Sequence, residues 1–168
     1  MKVSNRRNIS MAFGIALLIV VADQFTKYLV TAWIPLHTVS EVIPGFVNLV
    51  HVRNPGAAFG IFSDSQSMLT RWFFVCISIA AVMIIGWLIL TGEDTDTYLL
   101  VGYALFVGGA LGNLIDRIRF GAVVDFLELY VNSFHWPAFN VADSALCVGT
   151  ALFFIHVLTA KKRNGAEA

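Results

Sequence analysis

Apolar residues in this chain come in long runs rather than in the short periodic stripes of a soluble core. A bilayer core of roughly 30 Å needs about 20 helical residues, and four runs reach that length: approximately Met11 to Val30, Arg71 to Leu90, Tyr98 to Ile115, and Val141 to Ala160. Two long connections separate them, residues 31–70 and 116–140, with a short one from Thr91 to Thr97. The first connection carries HTVSEVIPGFVNLVHVRN, two β-branched runs split by Pro44 and Gly45, which predicts a hairpin. After it, NPGAAFGIF (Asn54 to Phe62) predicts a short interfacial helix opened by Pro55. In the second connection AVVDFLELYV predicts a strand, and SFHWPAF brings Phe134, Trp136 and Phe139, rings suited to the headgroup level. The predicted fold is a membrane all-α bundle of four transmembrane helices with a small extracytoplasmic β-sheet and the short interfacial helix, forming one domain over residues 1–168.

Composition supports a lipid solvent. Hydrophobic residues make up 58% of the chain and charged ones 13%, about half the charged share of a soluble domain. The first run could be read as a secretory signal, since Lys2, Arg6 and Arg7 precede it. It continues through Asp23 to Val30 without a small-x-small cleavage site, and three more spans follow, which favours a true span. Lys161, Lys162 and Arg163 follow the last run, so the positive-inside rule predicts both termini in the cytoplasm and the long connections outside. The loop with Glu93, Asp94 and Asp96 departs from that rule's usual pattern, but acidic residues weigh little in it. With 11 basic and 11 acidic residues and basic blocks only at the ends, no nucleic-acid partner is expected. Cys76 and Cys147, each inside an apolar run, are expected to be free thiols packed against neighbouring helices. His37, His51, His135 and His156 are dispersed and lack metal-ligand spacing, so neither metal nor cofactor is expected.

Four carboxylates inside or beside apolar sequence change the picture. With a rise of 1.5 Å per residue, Asp23 lies about 18 Å along the first span from Met11, in its outer half. Asp116 ends the outward third span, Asp143 opens the inward fourth, and Asp125 lies in the connection between them, so all four belong to one outer layer. Ionisable groups at membrane depth are costly and are functional candidates, yet bland accounts exist. Asp23 and Lys27, four apart, can pair on one helix face. Asp116 and Arg117 read as a helix-terminal polar network on a stripe with Gly109 and Asn113, where Gly108, Gly109 and Gly112 allow close helix approach. Asp143 could be a helix N-terminal residue satisfied by the backbone, and Asp125 a solvated strand residue. Neither has a basic neighbour, however, and two such groups close together cannot easily both ionise, which predicts one shared proton. Spacing alone leaves these accounts open.

A pair of that kind can split a peptide bond: the ionised member takes a proton from water, the neutral one stabilises the carbonyl oxygen, and a proton passes to the leaving amine. Serine–lysine chemistry through Ser144 and Lys27 is a weaker reading, because no GxSxG elbow is present.

DQFTK at Asp23 to Lys27, RNPGAAFG at Arg53 to Gly60, GGALGNLIDR at Gly108 to Arg117, VVDF at Val123 to Phe126, and PAFNVADS at Pro137 to Ser144 occur in this order on four spans. In these blocks the chain resembles bacterial lipoprotein signal peptidase (signal peptidase II) over nearly its whole length. The resemblance implies an aspartyl endopeptidase of the inner membrane with Asp125 and Asp143 as the catalytic pair. It implies supporting or substrate-binding roles for Asp23, Lys27, Asn54, Gly108, Asn113, Asp116, Arg117 and Asn140. The implied substrate is a prolipoprotein cut just before a cysteine carrying diacylglycerol. Membrane lipids are the other expected partner, and a monomer is the expected working state. A transporter would instead favour charges near the midplane and an internal repeat, and a non-catalytic assembly factor is the other rival.

Overall fold

The computed structural model describes residues 3–56, 68–92 and 96–165. Four helices run back and forth: α1 (Val3–Trp33), α2 (Met68–Thr91), α3 (Thr97–Phe120) and α4 (Val141–Gly165). Each is long and apolar enough to cross a bilayer. Four strands, β1 (Val39–Ile43), β2 (Val47–Asn54), β3 (Val123–Val131) and β4 (Phe134–His135), form one antiparallel sheet in the order β1-β2-β3-β4. The sheet sits where α1 and α3 end and α2 and α4 begin, so the start of α1 and the end of α4 lie at the opposite end of the bundle.

The hairpin expected around Pro44 and Gly45 is present as β1 and β2, with Gly45 at φ 77° in the left-handed region that glycine tolerates. The strand expected from AVVDFLELYV is β3. The interfacial helix expected over Asn54 to Phe62 falls largely outside the described residues.

Helix α3 runs on past Ile115, where the apolar run stops, to Phe120. Polar side chains end a hydropathic run but not a helix; α3 stops at Gly121, which adopts φ 75° and returns its N–H to the carbonyl of Arg117 at 3.1 Å. At the other end Asp96 caps α3, its carboxylate accepting the Tyr98 N–H at 2.8 Å, which gives one acid of the short loop a structural purpose.

Packing is inverted relative to a soluble protein. Large apolar side chains such as Phe13, Leu18, Trp87 and Phe154 point outward, while Asp23, Lys27, Asn113, Asp116, Asp125 and Asn140 are buried. The central helix is α3, with α1, α2 and α4 around it. Its glycines permit this: a Cβ on Gly108 would meet the Ala16 carbonyl oxygen at 2.9 Å, and one on Gly109 would meet that of Ala142 at 2.5 Å. Cys76 and Cys147 are exposed on the bundle surface instead of packed between helices. In lipid the outer face is as apolar as the inner one, so an apolar run does not reveal which way a residue points.

Candidate active site

Local sequence prepares the site at the mouth of α4. The first N–H groups of a helix have no partner within it, and at the start of α4 the chain supplies acceptors for them. Asp23 Oδ1 accepts from Ala142 N at 2.9 Å, Asn140 Oδ1 from Asp143 N at 2.9 Å, and the Asn140 carbonyl from Ser144 N at 3.1 Å. The Asp143 carboxylate returns to Asn140 N at 3.2 Å. Asn140 and Asp143 thus form a reciprocal capping box, with asparagine and aspartate in the roles often taken by serine and glutamate.

Strand β3 brings Asp125 to the same place. Phe139 pairs with Leu127, its N–H donating to the Leu127 carbonyl at 2.9 Å and its carbonyl accepting from Leu127 N at 2.9 Å. This pairing sets Asn140 beside the start of β3. Asn140 Nδ2 then donates to Asp125 Oδ1 at 2.7 Å. On the other side of β3, Asn54 lies opposite Val123 in the β2–β3 register, one diagonal step from Asp125, and its Nδ2 donates to Asp125 Oδ2 at 3.2 Å. Asn113 of α3 donates to Asp143 Oδ1 at 2.8 Å.

Asp125 is 2% exposed, and its pKa is pushed up to about 7, first by burial and then by the charge of Asp143. Hydrogen bonds from Asn54 and Asn140, and the charge of Lys27, pull the other way. The charge of Asp143 thus adds to burial in raising Asp125.

Behind the pair lies a buried ionic cluster. The Asp23–Lys27 pair expected on one helix face is present at 2.8 Å, but Lys27 also meets Asp116 at 2.9 Å and Asn113 Oδ1 at 2.9 Å. Asp116 therefore pairs with Lys27, not with its sequence neighbour Arg117. Its Oδ2 also accepts the Val124 N–H at 3.1 Å, tying α3 to β3 one residue before Asp125. Arg117 turns toward the pocket and lies with its guanidinium 5.3 Å from the ring centre of Phe74. Gly108 lies against Ala16 and Ile19, at a helix contact and away from the pocket. Gln24 joins the cluster unannounced, donating to Asp116 Oδ1 at 3.0 Å and to the Gly112 carbonyl at 3.1 Å. An uncharged polar residue next to Asp23 inside an apolar run was the available signal.

The carboxylates open on a cavity of about 370 Å³ that also reaches Asn54, Asn113, Arg117 and Trp136. Its remaining wall is mostly apolar, with Val123, Leu129, Phe139 and Val148 contributing, the mix of apolar lining and a few convergent polar groups common to ligand sites.

Fold and site together are those of a multi-pass membrane enzyme. A bacterial membrane enzyme solved by the in meso method at 2.3 Å resolution superposes with a TM-score of 0.82 at 34% identity, covering 92% of this chain and 91% of that one. The sequence family described as signal peptidase (SPase) II matches residues 15–159. The lipoprotein signal peptidase of Desulforapulum autotrophicum is 45% identical over 86% of this chain and 89% of its own length. That of Symbiobacterium thermophilum is 42% identical over 93% and 99% respectively. The chain belongs to the signal peptidase II family, and it is a peptidase.

Proposed function

We propose that this protein removes the signal peptide from diacylglyceryl-modified prolipoproteins, cutting before the lipidated cysteine with Asp125 and Asp143 as general base and general acid. The lipoprotein signal peptidases it resembles support the substrate. Asn140, in contact with both carboxylates, is the observation that carries the pairing.

In this reading the ionised carboxylate takes a proton from water as the oxygen adds to the scissile carbonyl carbon. The protonated carboxyl hydrogen-bonds the carbonyl oxygen and stabilises the tetrahedral intermediate. Collapse breaks the C–N bond, a proton passes to the amine of the lipidated cysteine, and the pair is left with one proton for the next cycle. Asn54, Asn113 and Asn140 orient the carboxylates, Arg117 faces the substrate cavity, and Asp23, Asp116 and Lys27 brace the layer. Gly108 contributes by letting α1 approach α3.

The chain works as a single domain of the bacterial inner membrane. Both termini are cytoplasmic, the catalytic pair faces the outer leaflet, the lipid chains of the substrate stay in the bilayer, and the working unit is a monomer without a cofactor. The basic residues at both chain ends and the even number of spans support this orientation.

The test uses purified protein and a lipidated prolipoprotein, with the new N-terminus read by mass spectrometry. Cleavage by the wild type should disappear in Asp125→Asn and, separately, in Asp143→Asn. Cleavage retained by either folded variant would remove the pair.

A further inference from the structure

The polar layer has a direction. A side-chain amide has an accepting end and a donating end, so fixing one fixes the other. Asn54 Oδ1 accepts from Gly56 N at 3.0 Å and Asn140 Oδ1 from Asp143 N at 2.9 Å, while Asn113 Oδ1 accepts from Lys27 Nζ at 2.9 Å. The donating ends therefore turn to the carboxylates: Asn54 and Asn140 to Asp125, and Asn113 to Asp143. Backbone N–H groups fix two of the three amides. The third is held by an ammonium at 2.9 Å and, at a longer 3.2 Å, by the amide of Asn140.

Resting on the catalytic reading above, we propose that Lys27 is a positioning residue for the cleavage, acting through Asn113. An ion pair with Asp23 alone would not require Asn113. Lys27 has three N–H donors, and its three partners, Asp23 Oδ2, Asp116 Oδ2 and Asn113 Oδ1, are all within 2.9 Å. With Oδ1 held there, Asn113 presents its N–H to Asp143, and the same Oδ1 accepts from Asn140 Nδ2 at 3.2 Å. Lys27 thus reaches both carboxylates through amides. Without the ammonium, Asn113 Oδ1 keeps only the longer bond from Asn140 Nδ2, and the N–H presented to Asp143 is held less firmly.

The charged groups facing the pair are Lys27 and Asp23 from α1 and Asp116 and Arg117 from α3, with Asp143 on α4 and Asp125 on β3. Lys27 favours the ionised form of Asp125. Its loss therefore lets the pair keep its proton to higher pH, which a purely structural role in α1 would not do.

The experiment measures kcat and KM against pH on a lipidated prolipoprotein, using full-length protein in detergent. Asn113→Ala leaves the ion cluster intact and cuts the relay. Asp23→Asn with Lys27→Met removes one charge of each sign, so no lone charge is buried. Each should lower kcat about 10- to 100-fold with KM little changed, as misplaced catalytic groups do. The charge-balanced pair should also move the alkaline limb to higher pH. Combining all three substitutions should cost no more than the worse of the two. Wild-type turnover in Asn113→Ala, an unmoved limb in the folded charge-balanced variant, or losses that multiply in the combination would overturn the proposal. If the charge-balanced variant does not fold, turnover of Asn113→Ala decides alone. Asp125→Asn, run alongside, separates the two ideas: activity there sinks the catalytic pair, whereas loss there beside unaffected relay variants sinks only the role of Lys27.

Discussion

Replacing Asp125 with asparagine should stabilise the folded protein at alkaline pH while abolishing its activity. Burial and the charge of Asp143 push the pKa of Asp125 up to about 7 in the fold, against an ordinary 3.8. A carboxyl raised in the folded state contributes its full stability below its unfolded pKa and loses it as pH rises toward the folded one. That gap corresponds to about 4 kcal/mol of stability that the wild type gives up between about pH 4 and pH 7. Asparagine carries no proton to lose, but it can accept from only one of the two donors, Asn54 and Asn140, which costs about 1 kcal/mol. The variant is thus expected to be about 1 kcal/mol less stable at pH 4 and about 3 kcal/mol more stable at pH 8. At about 2–4 °C per kcal/mol for a chain of this size, the pH 8 difference is a rise in Tm of about 6–12 °C. Thermal unfolding in detergent, followed by tryptophan fluorescence from pH 4 to 8, measures it. A Tm difference that does not change with pH would show that Asp125 is not a buried, raised carboxyl, and the reasoning would fail.

Other outcomes follow from the same geometry. Asn54→Ala removes a hydrogen bond that favours the Asp125 carboxylate, so the alkaline limb of kcat/KM should move to higher pH; a limb moving down would contradict the sign. Gly112→Ala would press a Cβ to 2.6 Å from Asp23 Oδ2, whereas Gly86→Ala meets nothing within 4 Å. The first should cost about 1–3 kcal/mol in unfolding experiments, and the second should be neutral or stabilising by up to about 1 kcal/mol. Asp23→Ala leaves the Ala142 N–H without its acceptor and removes one partner of Lys27. It should cost about 3–5 kcal/mol of stability, seen as low membrane yield. Normal yield and substrate binding with collapsed turnover would show its role to be chemical.

The spans were legible because a bilayer demands a fixed length of apolar helix, and the strands because β-branched runs flank Pro44 and Gly45. The acidic layer came from helix rise and topology alone, without knowledge of any contact. Partners distant in sequence were not legible. Lys27 can be paired with Asp23 from spacing four, but nothing along the chain says that Asp116, on another span, shares it. The capping box of Asn140 and Asp143 lay within reach of the NVAD spacing, since an N-cap and an acid three residues on are a known helix start. The end of α3 was also marked, by Gly121 and the arginines before it, although hydropathy stopped the run earlier. The exposure of Cys76 and Cys147 was beyond reading, because lipid and bundle interior attract the same residues.

The claim beneath all of this is that Asp125 and Asp143 compete for one proton. Carbon-13 NMR of aspartate-labelled protein in micelles, with the two signals assigned from Asp125→Asn and Asp143→Asn, titrates both carboxyls directly. Asp125 should titrate near pH 7 and at lower pH in Asp143→Asn, because the neighbouring charge that raises it is gone. An Asp125 signal that titrates as an ordinary surface carboxylate, or that ignores the loss of Asp143, would contradict the account.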